Sequence, residues 1–200
     1  MKKINLAMKL TLTRIFLIPF FMVFMFVDNV WTRIFALIIF ILAGLTDAFD
    51  GFFARKLNVI TKFGVFLDPL ADKLIISAAF ISFVSLKELH IPAWMVVLII
   101  SREFIITGLR LLAMSNGRVI AADKTGKFKT TSQIIAIIAI LLVLVLNSFR
   151  KDLVPTYPFL HDILTHAPYW IMMYVTVLTV YSGITYLRKH KDILALDTNK

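Results

Sequence analysis

Six apolar stretches, separated by short polar segments, follow one another along the 200-residue chain. Each is long enough, or nearly long enough, to cross the roughly 30 Å hydrocarbon core of a bilayer. A soluble domain of this length does not need so much apolar surface, since 60% of the residues are hydrophobic. The pattern predicts an all-α, polytopic membrane protein with six transmembrane helices, at residues 12–28, 33–57, 64–86, 92–114, 130–148 and 168–188.

The segments outside these spans indicate one membrane domain over residues 1–200. We expect residues 1–10 to lie along the membrane interface as a short basic segment, and residues 189–200 to form a cytoplasmic tail. The start of the chain imitates a signal peptide, but residues 28–31 contain no small-residue cleavage site, so we interpret the first span as retained. We interpret residues 149–167 as a structured outer loop.

Basic residues are distributed unevenly between the two ends of the spans. One set of loops keeps only four of them, Arg33, Lys87, Arg150 and Lys151. By the positive-inside rule, this asymmetry places both termini on the cytoplasmic side of the cell membrane. The net charge of +10 therefore fits contact with anionic lipid headgroups, and we expect no nucleic-acid partner. The absence of cysteine excludes disulfides, thiolate nucleophiles and zinc–thiolate sites.

Four aspartates lie within this apolar sequence, where ionised carboxylates cost several kcal/mol each unless something compensates them. They form the pattern Asp47-x-x-Asp50-Gly51-x-x-Ala54-Arg55, followed after eight residues by Gly64-x-x-x-Asp68-x-x-x-Asp72. At about 100° per residue, each pair falls on one face of its helix. Two neighbouring antiparallel helices can therefore direct all four carboxylates into one cavity near the cytoplasmic interface.

Carboxylate oxygens without histidine or thiol ligands favour hard cations, either Mg²⁺ or Mn²⁺, with Ca²⁺ as an alternative. Four aspartates suffice for two ions, and a two-metal site can stabilise the attacking and leaving oxygens of a phosphoryl transfer. Arg55 suits a diphosphate, because a guanidinium binds two oxygens at once. Two alternatives stay open: helix caps or ion pairs with Arg55 and Lys73, and the pathway of a divalent-cation carrier.

The segment from Asp47 to Asp72 resembles the signature of the CDP-alcohol phosphotransferase family, without a gap or a substitution. Two further stretches are similar to the bacterial phosphatidylglycerophosphate synthases within that family. They are Ser101-Arg102-Glu103-Phe104 with Thr107-Gly108-Leu109-Arg110, and Gly126-Lys127-Phe128-Lys129-Thr130. The N-terminus departs from those synthases: Ala7-Met8 occupies the place of their usual Pro-Asn pair, while Thr11 and Arg14 remain.

The resemblance implies a homodimeric enzyme that transfers phosphatidyl from CDP-diacylglycerol to sn-glycerol 3-phosphate, releasing CMP. It implies that Asp47, Asp50 and Asp68 ligate two metal ions, and that Asp72 lies at the second metal and acts as general base. It also implies that the positions lining the CDP site are Gly51, Ala54, Arg55, Thr61 and Gly64.

The acceptor's phosphate is a dianion, so its pocket needs cations besides the metals. Arg102 and Arg110, eight residues apart, lie within about 80° of each other on the fourth helix. Lys127 and Lys129 begin the fifth span at the same level. These four residues are our candidates for binding the acceptor's phosphate. A cardiolipin synthase, or a transferase with another acceptor, would share the aspartates and differ here.

Overall fold

The computed structural model describes residues 6–57, 62–115, 124–153 and 158–189, with side chains undescribed at 6–10, 47–57, 62–69, 72, 112, 114, 115, 124, 125, 127, 150–153 and 158–161. The described residues form α1 (Leu6–Phe26), α2 (Val30–Leu57), α3 (Lys62–Ser85), α4 (Ala93–Ser115), α5 (Lys124–Leu153) and α6 (Pro158–Lys189). One turn of 3₁₀ helix, Lys87–Leu89, follows α3. Within these ranges there is no strand, so the all-α prediction is confirmed.

The predicted outer loop at residues 149–167 is wrong over most of its length. Helix α5 continues to Leu153 and α6 begins at Pro158, so helix covers most of this range. Pro158 lies at the first helical position, where the missing N–H of proline costs no hydrogen bond. Pro168 lies inside α6 without ending it. Pro158, which lies within the predicted loop, therefore marks a helix start, and Pro168 lies just beyond the predicted loop.

The helices pack into a closed ring. In the order α1, α2, α5, α6, α4 and α3, each helix contacts the next, and α3 returns to α1. Helix α3 also contacts α2 and α5, which lie beyond its neighbours in the ring. All six contribute buried apolar side chains to the interior, among them Phe21, Phe40, Phe80, Met95, Ile137 and Met172.

Two segments are long and apolar enough to cross a membrane, Phe128–Phe149 and Asp162–Lys189. Three more are apolar but shorter: Thr11–Phe26, Val30–Thr46 and Lys73–Ser85. Large apolar side chains are exposed around the outside of the ring, including Phe16, Trp31, Phe128 and Trp170. A surface of this kind suits lipid better than water. Six complete crossings stay a prediction.

Arg33, near the start of α2, links several elements at one end of the ring. Its Nη1 donates to the Leu144 carbonyl at 3.1 Å and to Ser148 Oγ at 2.8 Å, both on α5. Its Nη2 lies 2.5 Å from Glu88 Oε1 and 3.0 Å from Asp28 Oδ1. The start of α2, the end of α5 and the segment after α3 therefore lie together, which requires α2 to run opposite to α3 and to α5.

Candidate functional site

The aspartate motif lies on two helices that contact each other. Asp47 and Asp50 belong to α2, and Asp68 and Asp72 belong to α3. This backbone placement agrees with the predicted pair of neighbouring antiparallel helices. The side chains of all four lie outside the described part of the structure, so their metal-ligand and general-base roles stay predictions.

The predicted CDP contacts occupy the same two helices and the segment between them. Gly51, Ala54 and Arg55 belong to α2 and Gly64 belongs to α3, but their side-chain surroundings lie outside the described part. Thr61 lies outside the described residues altogether. These assignments stay predictions as well.

A cavity of about 270 Å³ shows which parts of the ring lie level with the aspartates. Arg14 of α1, Gly44 of α2, Ile75 of α3 and Thr130 of α5 all line it. Gly44 precedes Asp47 by three residues and Ile75 follows Asp72 by three, which is about 4.5 Å along each helix axis. The aspartate-bearing turns therefore lie level with the first turns of α5.

A buried carboxylate, Glu103 of α4, organises the polar contacts at this level. Its Oε1 forms an ion pair with Lys129 of α5 and lies 3.4 Å from Arg102 Nη1. Lys73 of α3 donates to the Glu103 backbone carbonyl at 3.4 Å. We call this group and its polar neighbours the Glu103 cluster: Lys73, Arg102, Glu103, Lys129, Gln133, Thr179 and Ser182.

The polar neighbours extend the cluster to α6. Gln133 Nε2 lies 3.5 Å from Glu103 Oε1 and 3.4 Å from Thr179 Oγ1. Arg102 Nη2 donates to Ser182 Oγ at 3.0 Å. Lys129 and Gln133 are four residues apart, and Thr179 and Ser182 are three apart, so each pair shares one face of its helix. The cluster thus joins α3, α4, α5 and α6 at one level.

The Glu103 cluster is electropositive. Three of its members, Lys73, Arg102 and Lys129, are cations, and Glu103 is its one carboxylate, so it carries an excess of two positive charges. Only 2% of the Lys129 side chain is exposed, so water does little to screen its charge. Buried positive charge of this kind is stabilised by nearby anions.

The structure brings two of the four predicted acceptor residues together. Arg102 and Lys129 meet at Glu103, whereas Arg110 is exposed and lies about 12 Å further along α4. Among the described residues, no hydrogen bond joins Arg110 to the cluster. The side chain of Lys127 lies outside the described part.

Sequence reasoning predicted Lys129 of α5 but missed Gln133 on the same helix and the part that α6 plays in this site. Gln133, Thr179 and Ser182 complete the Glu103 cluster, yet none was a candidate. The available signal was a polar stripe inside two apolar helices: Gln133 four residues after Lys129, and Thr176, Thr179 and Ser182 at three-residue spacing. Serine and threonine in membrane helices often bond only to their own backbone, as Thr176 does to the Met172 carbonyl at 2.7 Å. The stripe alone therefore did not identify a site.

No three His, Cys, Asp or Glu side chains of the described residues lie close enough together to hold an ion. Among the described carboxylates, Asp28 and Glu88 form ion pairs with Arg33, and Glu103 forms an ion pair with Lys129.

Comparison with known proteins identifies the chain's relatives. The family model for CDP-alcohol phosphatidyltransferase matches residues 4–181. A Bacillus subtilis protein named CDP-diacylglycerol–glycerol-3-phosphate 3-phosphatidyltransferase is 44% identical over 202 aligned residues, covering 95% of this chain and 97% of its own. Proteins with the same name are 33% identical in Rickettsia felis, covering 93% and 97%, and 40% identical in Escherichia coli, covering 66% and 74%. The chain belongs to the CDP-alcohol phosphatidyltransferase family.

Proposed function

We propose that the protein is a transferase that moves phosphatidyl from CDP-diacylglycerol to the primary hydroxyl of sn-glycerol 3-phosphate. The products are phosphatidylglycerol phosphate and CMP. The observation that carries this proposal is the similarity, over nearly the whole chain, to proteins named for this reaction. The ungapped aspartate motif also supports it, because four carboxylates suit a metal-assisted phosphoryl transfer. A divalent-cation carrier would have no need of Gly51, Ala54, Arg55 and Gly64 at fixed offsets from the aspartates.

The donor side of the site is formed by α2 and α3. Asp47, Asp50, Asp68 and Asp72 fit two divalent cations, Mg²⁺ or Mn²⁺, because they offer only carboxylate oxygens and lie on two contacting helices. When bound, these ions neutralise the diphosphate that otherwise repels an attacking oxygen. We propose that Arg55 binds diphosphate oxygens and that the positions lining the CDP group are those with small or short side chains: Gly51, Ala54, Thr61 and Gly64.

Asp72 accepts the proton of the attacking hydroxyl. The acceptor oxygen then bonds to the phosphorus that carries the diacylglycerol, and the bond from that phosphorus to the CMP oxygen breaks. The lipid tails remain in the bilayer while the headgroup meets the acceptor at the interface, so binding also orients the reacting atoms.

The acceptor side is formed by the Glu103 cluster and the cations near it. The excess positive charge of the cluster favours the dianionic phosphate of glycerol 3-phosphate over a neutral alcohol. Arg102 and Lys129 belong to the cluster, and Arg110 and Lys127 complete the proposed set of phosphate-binding residues. Inositol is uncharged and serine has no net charge, so neither matches this excess positive charge as a phosphate dianion does.

We further propose that all six helices cross the cell membrane, with both termini and the active site on the cytoplasmic side, and that the enzyme is a homodimer. The exposed apolar side chains around the ring support burial in lipid. The family resemblance supports the homodimer.

One assay tests the reaction. Purified protein is given CDP-diacylglycerol, Mg²⁺ or Mn²⁺, and in turn glycerol 3-phosphate, serine, inositol or phosphatidylglycerol, with CMP release as the readout. We expect CMP release with glycerol 3-phosphate alone. Release with phosphatidylglycerol would identify a cardiolipin synthase. The carrier alternative would be supported if no acceptor gave CMP while liposomes containing the protein took up Mn²⁺.

A further inference from the structure

Arg102 lies across the backbone of α6 at a glycine. A Cβ atom built on Gly183 would stand 2.8 Å from Arg102 Cγ, 3.5 Å from its Nε and 3.7 Å from its Cδ. Real Cβ atoms essentially never approach a carbon as closely as 2.8 Å, so any side chain at this position would displace Arg102. Three atoms of the Arg102 side chain, Cγ, Cδ and Nε, therefore occupy the space that Gly183 leaves open.

The neighbouring residue holds the other end of the same side chain. Ser182 Oγ accepts a hydrogen bond from Arg102 Nη2 at 3.0 Å, and Glu103 lies 3.4 Å from Nη1. Two consecutive residues of α6 thus fix the stem and one terminal nitrogen of an arginine that belongs to α4. Arg102 Nε is buried and has no hydrogen-bond partner among the described residues.

Glycine at this position is not explained by helix formation. Gly183 lies inside α6, six residues before Lys189, and glycine is less favourable than alanine in a helix interior. The other described glycines of the long helices contrast with it. A Cβ added at Gly44, Gly108 or Gly126 would meet nothing within 4 Å. Among these four, only Gly183 is required by a close approach.

We propose that Ser182 and Gly183 are positioning residues that hold the Arg102 guanidinium in the orientation that binds the acceptor's phosphate. The inference rests on the proposed function, in which Arg102 is one of the acceptor residues. An arginine held in place before the substrate arrives loses less conformational entropy on binding, so the contact contributes more to affinity. Helix α6, which carries no residue of the aspartate motif, would in this way set the affinity for the acceptor.

The first test is Gly183→Ala, with KM measured separately for the two substrates by CMP release. Loss of a positioned charged hydrogen bond predicts a rise in the KM for glycerol 3-phosphate of roughly tenfold or more. The KM for CDP-diacylglycerol is expected to stay within about twofold, since among the described residues the main helix neighbours of α6 are α4 and α5. Gly108→Ala is the matched control, because it adds the same methyl group to α4 in open space; both KM values should remain unchanged.

Two further variants separate positioning from general structure. Ser182→Ala removes the hydroxyl that Arg102 donates to, without a clash, and is expected to raise the same KM by a smaller factor. In an Arg102→Ala background, Gly183→Ala is expected to have no additional effect on KM, because the side chain it displaces is absent. If Gly183→Ala does not fold, Ser182→Ala alone decides the question.

The outcomes distinguish this inference from the proposed function. If Arg102→Ala raises the KM for glycerol 3-phosphate but neither α6 variant does, the positioning role is overturned while the function stands. If Arg102→Ala leaves that KM unchanged in an enzyme that uses glycerol 3-phosphate, the assignment of Arg102 as an acceptor residue is wrong, and the positioning role is overturned with it. If the wild-type protein does not use glycerol 3-phosphate, the proposed function itself fails.

Discussion

Asp72 and Lys73 are neighbours in the sequence and belong to opposite halves of the proposed site. Asp72 ends the aspartate motif, and Lys73 donates to the Glu103 carbonyl at 3.4 Å. Consecutive residues of a helix point about 100° apart, so one turn of α3 can serve the donor side with one residue and the acceptor side with the next. At the scale of single residues, the proposed function therefore makes α3 the helix that brings the two substrates together.

The variant Asp72→Asn tests the general base. The amide keeps the size of the side chain and one oxygen donor, but it cannot accept the hydroxyl proton. We expect turnover to fall by about 10²–10⁴ while binding of CDP-diacylglycerol with Mg²⁺ is retained. Calorimetric titration of the lipid, alongside CMP release, measures both. Loss of binding together with turnover would make Asp72 chiefly a metal ligand, and near-normal turnover would remove it from the mechanism.

The variant Asp68→Asn tests the metal site. An amide oxygen replaces a charged carboxylate poorly as a ligand for a hard cation, so both Mn²⁺ binding and CMP release should be lost. Mn²⁺ binding is measured by its paramagnetic resonance signal in the absence of lipid. Asp162→Asn is the control, since Asp162 is an exposed carboxylate of α6 away from the candidate site, and it should behave as wild type. Full activity of Asp68→Asn at ordinary Mg²⁺ would contradict the metal assignment.

At the scale of whole elements, Arg33 joins the first turn of α2 to α5 and to the segment after α3. Its side chain is 4% exposed, whereas those of Glu88 and Asp28 are 36% and 58% exposed, so the two carboxylates can be solvated without it. The contacts that matter most for stability are therefore the buried ones to the Leu144 carbonyl and Ser148.

Replacing Arg33 with methionine should lower stability without changing the chemistry. Loss of buried hydrogen bonds to a charged group predicts a decrease of roughly 1–3 kcal/mol in the free energy of unfolding, measured in detergent by denaturant titration. Both KM values should stay unchanged, because this end of the ring is remote from the aspartates. Lys87→Gln, an exposed change at the same end, is the control for a simple loss of charge. A drop in turnover with unchanged stability would show that Arg33 is coupled to the site.

The sequence predicted those features that depend on one helix at a time. The predicted span at 92–114 and the observed helix Ala93–Ser115 agree closely, because hydrophobic runs record helix length directly. The placement of Asp47 and Asp50 on one helix and of Asp68 and Asp72 on the next could likewise be predicted. The end of α5 and the start of α6 could not, because Pro158 at a helix start looks like a loop signal.

Contacts between helices were beyond such reasoning. Gln133 and Thr179 are 46 residues apart and meet only because α5 and α6 pack with particular faces together. The same holds for Arg102 and Gly183: a glycine in an apolar helix has many explanations until the neighbouring helix is in place. Two cations of the electropositive cluster, Arg102 and Lys129, were predicted from the sequence, but the helix packing that brings both to one carboxylate was not.

At the scale of the whole molecule, the order of the helices predicts on which side of the membrane each connecting segment lies. Three helices, α4, α5 and α6, separate Lys87 from Arg188, so the two residues lie on opposite sides of the membrane if each helix crosses it. The chain contains no cysteine, so single cysteines can be labelled without background. We expect Lys87→Cys to react with a membrane-impermeant maleimide in intact cells, and Arg188→Cys to react only after permeabilisation.

Labelling of both positions from the same side would contradict three crossings between them. The reverse pattern, with Arg188→Cys accessible from outside, would keep the crossings and invert the orientation drawn from the basic residues. The unmodified chain serves as the control, since it should take up no label under either condition.

The packing of Arg102 against α6 has a consequence for the order in which the site forms during synthesis. The ribosome completes α1 to α5, and with them every aspartate of the motif, before Ser182 and Gly183 have been translated. During that interval Arg102 and Lys129 can contact Glu103, but the helix that closes the ring beside them does not yet exist. A nascent chain arrested before α6 would therefore carry the full donor side and an unfinished acceptor side. If Ser182 and Gly183 position Arg102 as proposed, the enzyme becomes fully active only when α6 is inserted, and not when the aspartate motif has been synthesised.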